Sequence, residues 1–220
     1  MITLMLVAVL GVLLVVVLSK LARKPANPGS GGASPAPPGT PPVPDLAHPS
    51  PADARTGDVI SVSGAGDAMS DLDFTADRST RVEAGSHRWL ELGGPYRGRR
   101  VTLRVGGSDD LEVGLDSGLR KVSIEELGLA ENDLTEMDER QNTADSFEFD
   151  GKVWQYHLSR EAQARRDDQP QALGFYYWEF REQGAAGLLA VRKPEGEPFS
   201  VSLYQGINHG DVTVYRGSRT

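Results

Sequence analysis

Short runs of alternating apolar and polar residues fill the chain from about residue 57 to residue 215. Runs with this period of two, separated by Gly, Asp and Pro, predict β-strands joined by tight turns. The predicted strands are 57–62, 87–92, 101–105, 111–115, 147–149, 153–158, 175–180, 188–192, 199–204 and 212–215. The pattern therefore predicts a mainly β domain of about eight antiparallel strands in two similar halves, arranged as a sandwich or an open barrel.

A helical connection is predicted between the two groups of strands. Residues 123–126 have the spacing of a capping box, which predicts a short helix that ends at Gly128. Residues 131–140 follow as a second short helix, in which Leu134 and Met137 share one face.

Two polar stretches, 64–80 and 160–171, are predicted to be loops. The first contains four carboxylates, but it lacks the glycine and the terminal glutamate of an EF-hand. We therefore prefer a solvated acidic loop to a calcium site for Asp67, Asp71, Asp73 and Asp77.

The first 22 residues are predicted to be a transmembrane anchor. Residues 2–18 are apolar without a charge, and Lys20, Arg23 and Lys24 follow them directly. This charge bias indicates a single-pass protein of the bacterial plasma membrane with its C-terminal domain in the cytoplasm. A cleaved signal peptide is the alternative, although no basic residue precedes the run.

Residues 23–55 are predicted to be a disordered linker, because ten of the fourteen prolines lie between Pro25 and Pro51. The folded domain is predicted to occupy residues 56–220. Residues 1–55 carry four Lys or Arg and two Asp, so the total net charge of −8 leaves −10 on the domain. Such an acidic domain is a poor candidate for nonspecific binding of nucleic acid.

Reactive motifs are absent from the sequence. The chain has no cysteine, which excludes disulfides and thiolate chemistry, and its four histidines lack metal-ligand spacing. We therefore expect no metal, no cofactor and no catalytic residue.

An offset of 88 residues aligns Trp89-Leu90-Glu91-Leu92 with Tyr177-Trp178-Glu179-Phe180. The strands that follow each of these segments align in the same way. The alignment predicts an internal duplication of residues 57–115 and 147–204, each contributing four strands.

Alternation along these strands predicts which side chains share a face. Leu90, Leu92, Trp178 and Phe180 are predicted to face the core. The four side chains that alternate with them are predicted to share the opposite face. Those four are Trp89, Glu91, Tyr177 and Glu179.

A hairpin register with Leu90 opposite Leu103 would place Trp89 opposite Arg104. The equivalent register in the second half places Tyr177 opposite Arg192, so each hairpin would pair an aromatic side chain with a guanidinium.

Glu91 and Glu179 are the main candidates for chemistry. If the halves are related by a pseudo-twofold axis, both carboxylates could face one cleft and act as an acid and a base. The alternative is that each neutralises a neighbouring arginine on a solvated face. The candidate ligand-binding set is Trp89, Glu91, Tyr177, Glu179, Arg104 and Arg192.

A second candidate is the basic turn formed by Arg97, Arg99 and Arg100. Guanidinium groups suit phosphate, so this turn could bind a phosphate or an anionic lipid headgroup. Solvated hairpin charges are the alternative.

Residues 56–216 resemble a bacterial family catalogued as domain of unknown function 4178. The similar motifs are Gly57-Asp58-Val59-Ile60-Ser61-Val62, Arg88-Trp89-Leu90-Glu91-Leu92, Phe147-Glu148-Phe149-Asp150-Gly151-Lys152-Val153-Trp154, Tyr176-Tyr177-Trp178-Glu179-Phe180 and Gly196-Glu197-Pro198-Phe199. The resemblance implies a β-rich fold, no assigned enzymatic activity, and a role in the envelope or in stress.

Together these observations predict a membrane-tethered, non-catalytic domain that binds or scaffolds an unidentified protein partner. One alternative is a small-ligand sensor or hydrolase-like enzyme that uses Glu91 and Glu179. Another is a domain that binds anionic lipid through Arg97, Arg99 and Arg100.

Overall fold

The computed structural model describes residues 49–107 and 110–217. Within them the chain forms twelve strands and one α-helix, α1 (Glu131–Arg140). The strands are β1 (Val59–Val62), β2 (Leu72–Thr75), β3 (Arg78–Ala84), β4 (His87–Tyr96), β5 (Arg99–Gly106), β6 (Glu112–Asp116), β7 (Ser146–Phe149), β8 (Lys152–Arg166), β9 (Leu173–Glu182), β10 (Leu188–Pro194), β11 (Ser200–Ile207) and β12 (Val212–Tyr215). The predicted mainly β, antiparallel class is confirmed.

The predicted anchor and most of the predicted linker, residues 1–48, lie outside the described residues. In the part of the chain that the structure does describe, no helix is long and apolar enough to cross a membrane. The short 3-10 helix Pro51–Asp53 precedes Ala54, which is buried in the core, so packed structure begins before residue 56.

Eight strands form a closed antiparallel barrel. Their order is β3-β4-β5-β6-β11-β10-β9-β8, and the ring closes where Val82 of β3 lies opposite Ala164 of β8. β7 pairs with the other end of β8, outside the ring. We predicted a sandwich or an open barrel. Closure was missed because the start of β3 and the end of β8 lie in the two stretches that we predicted to be loops, 64–80 and 160–171.

A small three-stranded sheet, in the order β12-β1-β2, covers one side of the barrel. Its apolar side chains, such as Ile60 and Phe74, share one buried cluster with Leu90 and Leu92 of β4 and with Leu103 of β5. The outward face of this half of the barrel is therefore a dry interface between two sheets.

The other side of the barrel is covered by α1 and by the segment before it. Leu134 and Met137 are buried against Trp178 and Phe180 of β9, as their shared face predicted. The indole nitrogen of Trp178 donates a hydrogen bond to the Leu134 carbonyl oxygen at 3.0 Å.

The predicted helix at residue 123 is wrong in extent, because residues 124–128 form only turns. The capping box itself is present. The Ser123 amide donates to Glu126 Oε2 at 2.9 Å, and the Glu126 amide donates to Ser123 Oγ at 3.3 Å. Gly128 then adopts a positive φ of 74°, so the chain turns before a helix can extend.

Inward-pointing side chains fill the barrel interior with a third cluster, which includes Val82, Trp89, Tyr177 and Tyr204. The predicted facing of Leu90, Leu92, Trp178 and Phe180 is confirmed, since all four are buried in the outer clusters. The opposite face is equally dry: Tyr177 is 0% exposed and Glu179 is 2% exposed. The solvated face of our alternative interpretation therefore does not exist.

The register of the β4–β5 hairpin differs from our prediction. Arg97 and Gly98 form a two-residue turn with positive φ at both positions (45° and 78°), which fixes Tyr96 opposite Arg99. Glu91, not Trp89, consequently lies opposite Arg104. In the second hairpin Tyr177 lies opposite Arg192, as predicted.

Candidate functional site

Glu91 is held at the centre of the barrel by Arg192 of β10. Arg192 Nη1 donates to Glu91 Oε2 at 3.0 Å, and Nη2 donates a second, shorter bond to Oε1. The indole nitrogen of Trp89 donates to Oε1 at 2.7 Å. The Tyr204 hydroxyl is a fourth donor, to Oε1 at 3.4 Å. Four donors on one carboxylate, two of them from a forked guanidinium, form a strong charge-assisted arrangement.

Glu179 has an equivalent set of donors, of which Arg104 comes from the other half and Tyr177 and Arg181 from the same strand. Arg104 Nη2 and the Tyr177 hydroxyl donate to Oε2 at 2.8 Å and 2.7 Å. Arg181 Nε donates to Oε1 at 2.8 Å. Arg104 Nη1 also donates to the Tyr177 hydroxyl oxygen at 2.9 Å, so all four side chains are linked.

The ion pairs are exchanged between the two hairpins. Glu91 of the first hairpin pairs with Arg192 of the second, whereas Glu179 of the second pairs with Arg104 of the first. In each case an aromatic side chain two residues earlier on the same strand donates to the glutamate. We call these six residues, Trp89, Glu91, Arg104, Tyr177, Glu179 and Arg192, the barrel network.

Aromatic contacts join the two ion pairs. The Arg104 guanidinium lies 4.3 Å from the centroid of the Trp89 ring, and the Trp89 and Tyr177 rings are 5.0 Å apart. The structure thus brings together all six of the candidate ligand-binding residues, with both glutamates facing the barrel interior.

The glutamates of the barrel network are ionised despite their burial. Burial raises the pKa of the Glu91 carboxyl, but the Arg192 charge and its hydrogen bonds outweigh burial and leave that pKa below its usual value. Burial likewise raises the pKa of Glu179, and the charges of Arg104 and Arg181 bring it below the usual range. Burial also raises the pKa of Tyr177 far above normal, so its hydroxyl keeps the proton that it donates.

The pKa shifts of Glu91 and Glu179 do not separate the two carboxylates into an acid and a base. Two carboxylates divide these roles when their surroundings separate their pKa values, so that one stays protonated near neutral pH. Here Glu91 and Glu179 are shifted in the same direction by the same kind of partner. The network holds two ion pairs in fixed positions inside the barrel, and neither carboxylate is poised to donate a proton.

A cavity of about 500 Å³ opens at the end of the barrel that carries the β5–β6 and β9–β10 turns. Arg104 of the barrel network lines its inner part, together with Tyr204. Arg181 and Glu112 also line it, and Arg181 Nη2 donates to Glu112 Oε2 at 2.9 Å. Its volume falls in the range of small-molecule pockets, about 300–1,000 Å³.

Sequence reasoning missed Arg181, Tyr204 and Glu112. Arg181 continues the inward alternation of Tyr177 and Glu179 along β9, so the period of two could have identified it. Tyr204 and Glu112 lie on β11 and β6, which pair with each other across the two halves, and no local pattern indicates that pairing.

The basic turn is neutralised by the loop that we predicted to be acidic. Arg97 Nη1 and Arg99 Nη2 pair with the two carboxylate oxygens of Asp67, and Arg100 pairs with Asp77. The Arg99 bond lowers the pKa of Asp67, so this carboxylate stays charged. The turn lies at the opposite end of β5 from the cavity, apart from the barrel network.

Among the described residues, no group of three or more His, Asp or Glu side chains is arranged to hold a metal ion. Three of the four carboxylates of residues 67–77, those of Asp67, Asp71 and Asp77, instead bond to protein donors. Asp71 Oδ1, for example, accepts the Gly64 amide at 3.0 Å.

Comparisons of the chain with protein-family models, with curated proteins and with solved structures found no match. The resemblance to the domain of unknown function 4178 family stays a prediction that rests on the motifs quoted above.

Proposed function

We propose that this chain is a membrane-tethered, non-catalytic binding domain that takes a small ligand into the open end of its barrel. The observation that carries this proposal is the cavity of about 500 Å³, which leads from solvent to Arg104 of the barrel network. A concave site with a mostly apolar wall and a few converging polar groups is typical of small-molecule binding.

The absence of catalysis is supported by the state of the two carboxylates. Burial and arginine charges together leave the pKa of Glu91 and that of Glu179 below normal. Both carboxylates are also occupied by protein donors, which favours a positioning role over the hydrolase-like alternative.

The tether is supported by sequence alone. The apolar residues 2–18 and the three basic residues that follow favour a single-pass anchor in the bacterial plasma membrane, with the barrel in the cytoplasm. The proline-rich linker would let the barrel reach away from the membrane towards a protein partner, in the envelope or stress role that the family resemblance implies.

We propose that the two halves arose by duplication of residues 57–115 and 147–204. The exchanged ion pairs support this origin, because Glu91 and Glu179 occupy equivalent positions and each pairs with the arginine of the other half. The two-residue difference in hairpin register would then be a later change.

Lipid binding through Arg97, Arg99 and Arg100 draws less support than ligand binding in the cavity. Each of these arginines already has a carboxylate partner. An anionic headgroup would have to compete with Asp67 and Asp77.

Native mass spectrometry of the full chain, purified from bacterial membranes in nanodiscs, tests the proposed function. Ala186 lines the cavity, whereas its exposed neighbour Ala185 does not, so the two provide a matched pair. We expect a small-molecule adduct on the natural chain and on Ala185→Trp, and none on Ala186→Trp. An adduct retained by Ala186→Trp would contradict binding in this cavity.

A further inference from the structure

We infer that the ligand of the cavity is a small monocarboxylate with an apolar body, and that Arg181 binds its carboxylate. This inference rests on the proposed function and adds the chemistry of the ligand. It follows from the way in which the two arginines of the cavity are balanced, from the wall of the cavity, and from the present partners of Arg181.

The two arginines that line the cavity are balanced by carboxylates of unequal burial. Buried Glu179 contacts both Arg104 and Arg181, whereas Glu112, which is exposed, contacts Arg181 alone. The four charges sum to zero, and one of the two positive charges is balanced only by the exposed carboxylate. An anion is the ligand that can take the place of Glu112 beside Arg181.

The single positive charge that Glu112 balances and the apolar wall limit the ligand to one negative charge. Leu111, Val113, Leu188 and Ile207 supply apolar surface to the wall of the cavity. A doubly charged phosphate would leave one charge unpaired against these side chains, which is costly away from water. A carboxylate on a hydrocarbon body satisfies both parts of the wall.

Arg181 is the residue of the cavity that can accept a new partner. Its Nε and Nη2 contact Glu179, and Nη2 also donates to Glu112. Among the described residues, no partner is found for its Nη1. Once Glu112 leaves Nη2, the planar guanidinium can present its Nη1–Nη2 edge to a ligand carboxylate, the geometry that arginine binds in a forked manner.

Glu112 acts as an internal competitor for this position. Its side chain is 60% exposed and contributes one carboxylate oxygen to Arg181, so it is held far less firmly than Glu179, which is 3% exposed. A ligand carboxylate can replace Glu112 without disturbing the barrel network. Removal of the Glu112 charge should consequently strengthen ligand binding.

The test is calorimetric titration of the full chain in nanodiscs, with empty nanodiscs as the blank. Hexanoate is the probe, and 1-hexanol and hexylamine are the neutral and cationic probes of equal chain length. We expect hexanoate to bind about tenfold or more tightly than either, because a charged hydrogen bond strengthens binding by at least this factor.

Two variants should change the affinity for hexanoate in opposite directions. Arg181→Gln should lower the affinity for hexanoate to that for hexanol, whereas Glu112→Gln should raise it severalfold. Glu112 is exposed, so Glu112→Gln remains informative if Arg181→Gln unfolds. Equal binding of the three probes, or an unchanged affinity in Glu112→Gln, would overturn the inference. If the titrations give such a result but Ala186→Trp still removes the adduct seen by mass spectrometry, ligand binding in the cavity is supported and only the assignment of a carboxylate ligand is wrong.

Discussion

Glu91 and Arg192 are 101 positions apart in the chain, yet two hydrogen bonds join them across the interior of the barrel. Neither charge has a comparable partner on its own hairpin. The pair therefore connects the two halves of the barrel, and the Arg104–Glu179 pair connects them a second time in the opposite sense.

Loss of one member of the Glu91–Arg192 pair should be strongly destabilising. Glu91→Gln leaves the Arg192 guanidinium buried with a weaker acceptor, and removal of one partner of a buried pair typically costs about 3–5 kcal/mol. Urea unfolding of the full chain, followed by tryptophan fluorescence, measures the loss.

The double variant Glu91→Leu with Arg192→Met is the control for that prediction. It removes both charges and keeps apolar volume, so most of the lost free energy of unfolding should return. If the double variant loses as much free energy of unfolding as the single variants Glu91→Leu and Arg192→Met lose in sum, the pair is not coupled.

Stability should fall in acid because of the barrel network. In the folded state the pKa values of Glu91 and Glu179 are lowered. Their contribution to the free energy of unfolding is therefore fully present above the usual glutamate pKa of about 4.3, and it is lost as the pH falls through the lowered pKa values. Urea midpoints between about pH 3 and about pH 7 should decline steeply below pH ~4.3. The Glu91→Leu, Arg192→Met variant should show a shallower decline, and an equal slope would exclude Glu91 as a source.

The contact between α1 and the barrel depends on Ser159 of β8. Its hydroxyl, 4% exposed, donates to Asp138 Oδ1 at 2.5 Å and bonds the Tyr156 hydroxyl at 2.6 Å. Ser159→Ala removes the partner of the Tyr156 hydroxyl and one of the two donors to Asp138 Oδ1, the other being Gln141. Loss of a buried hydrogen-bond partner typically costs about 1–3 kcal/mol.

Thr135→Ala, at an exposed position of α1, is the matched control and should change stability by less than about 0.5 kcal/mol. Urea unfolding compares the two variants. Equal stability of both would mean that Ser159 does not hold the helix.

The sequence predicted the strands well because the period of two is a local signal. All ten predicted strands correspond to observed strands, and 131–140 is the observed helix. Alternation also identified which side chains of β4 and β9 share a face. Alternation could not show whether either face is exposed to water. The sheet and helix that cover the outside of the barrel, and the strand pairing that closes it, come from segments distant in the sequence.

The missed features share this non-local cause. β3 carries polar residues at its exposed positions, and its partner β8 lies more than 70 residues later, so neither segment alone indicates a closed ring. The hairpin register was missed for a local reason. Arg97-Gly98 is a two-residue turn within a longer strand pair, whereas we ended the predicted strand at Leu92 and so missed the pairing of residues 93–96 with β5.

The central claim is that both buried glutamates are ionised and structural. Carbon-detected NMR titration of the side-chain carboxyls of Glu91 and Glu179, in the full chain, tests it most directly. We expect both to titrate below the usual glutamate pKa of about 4.3. A pKa above about 6 for either carboxyl, the range of a general acid, would contradict the claim and favour an enzyme.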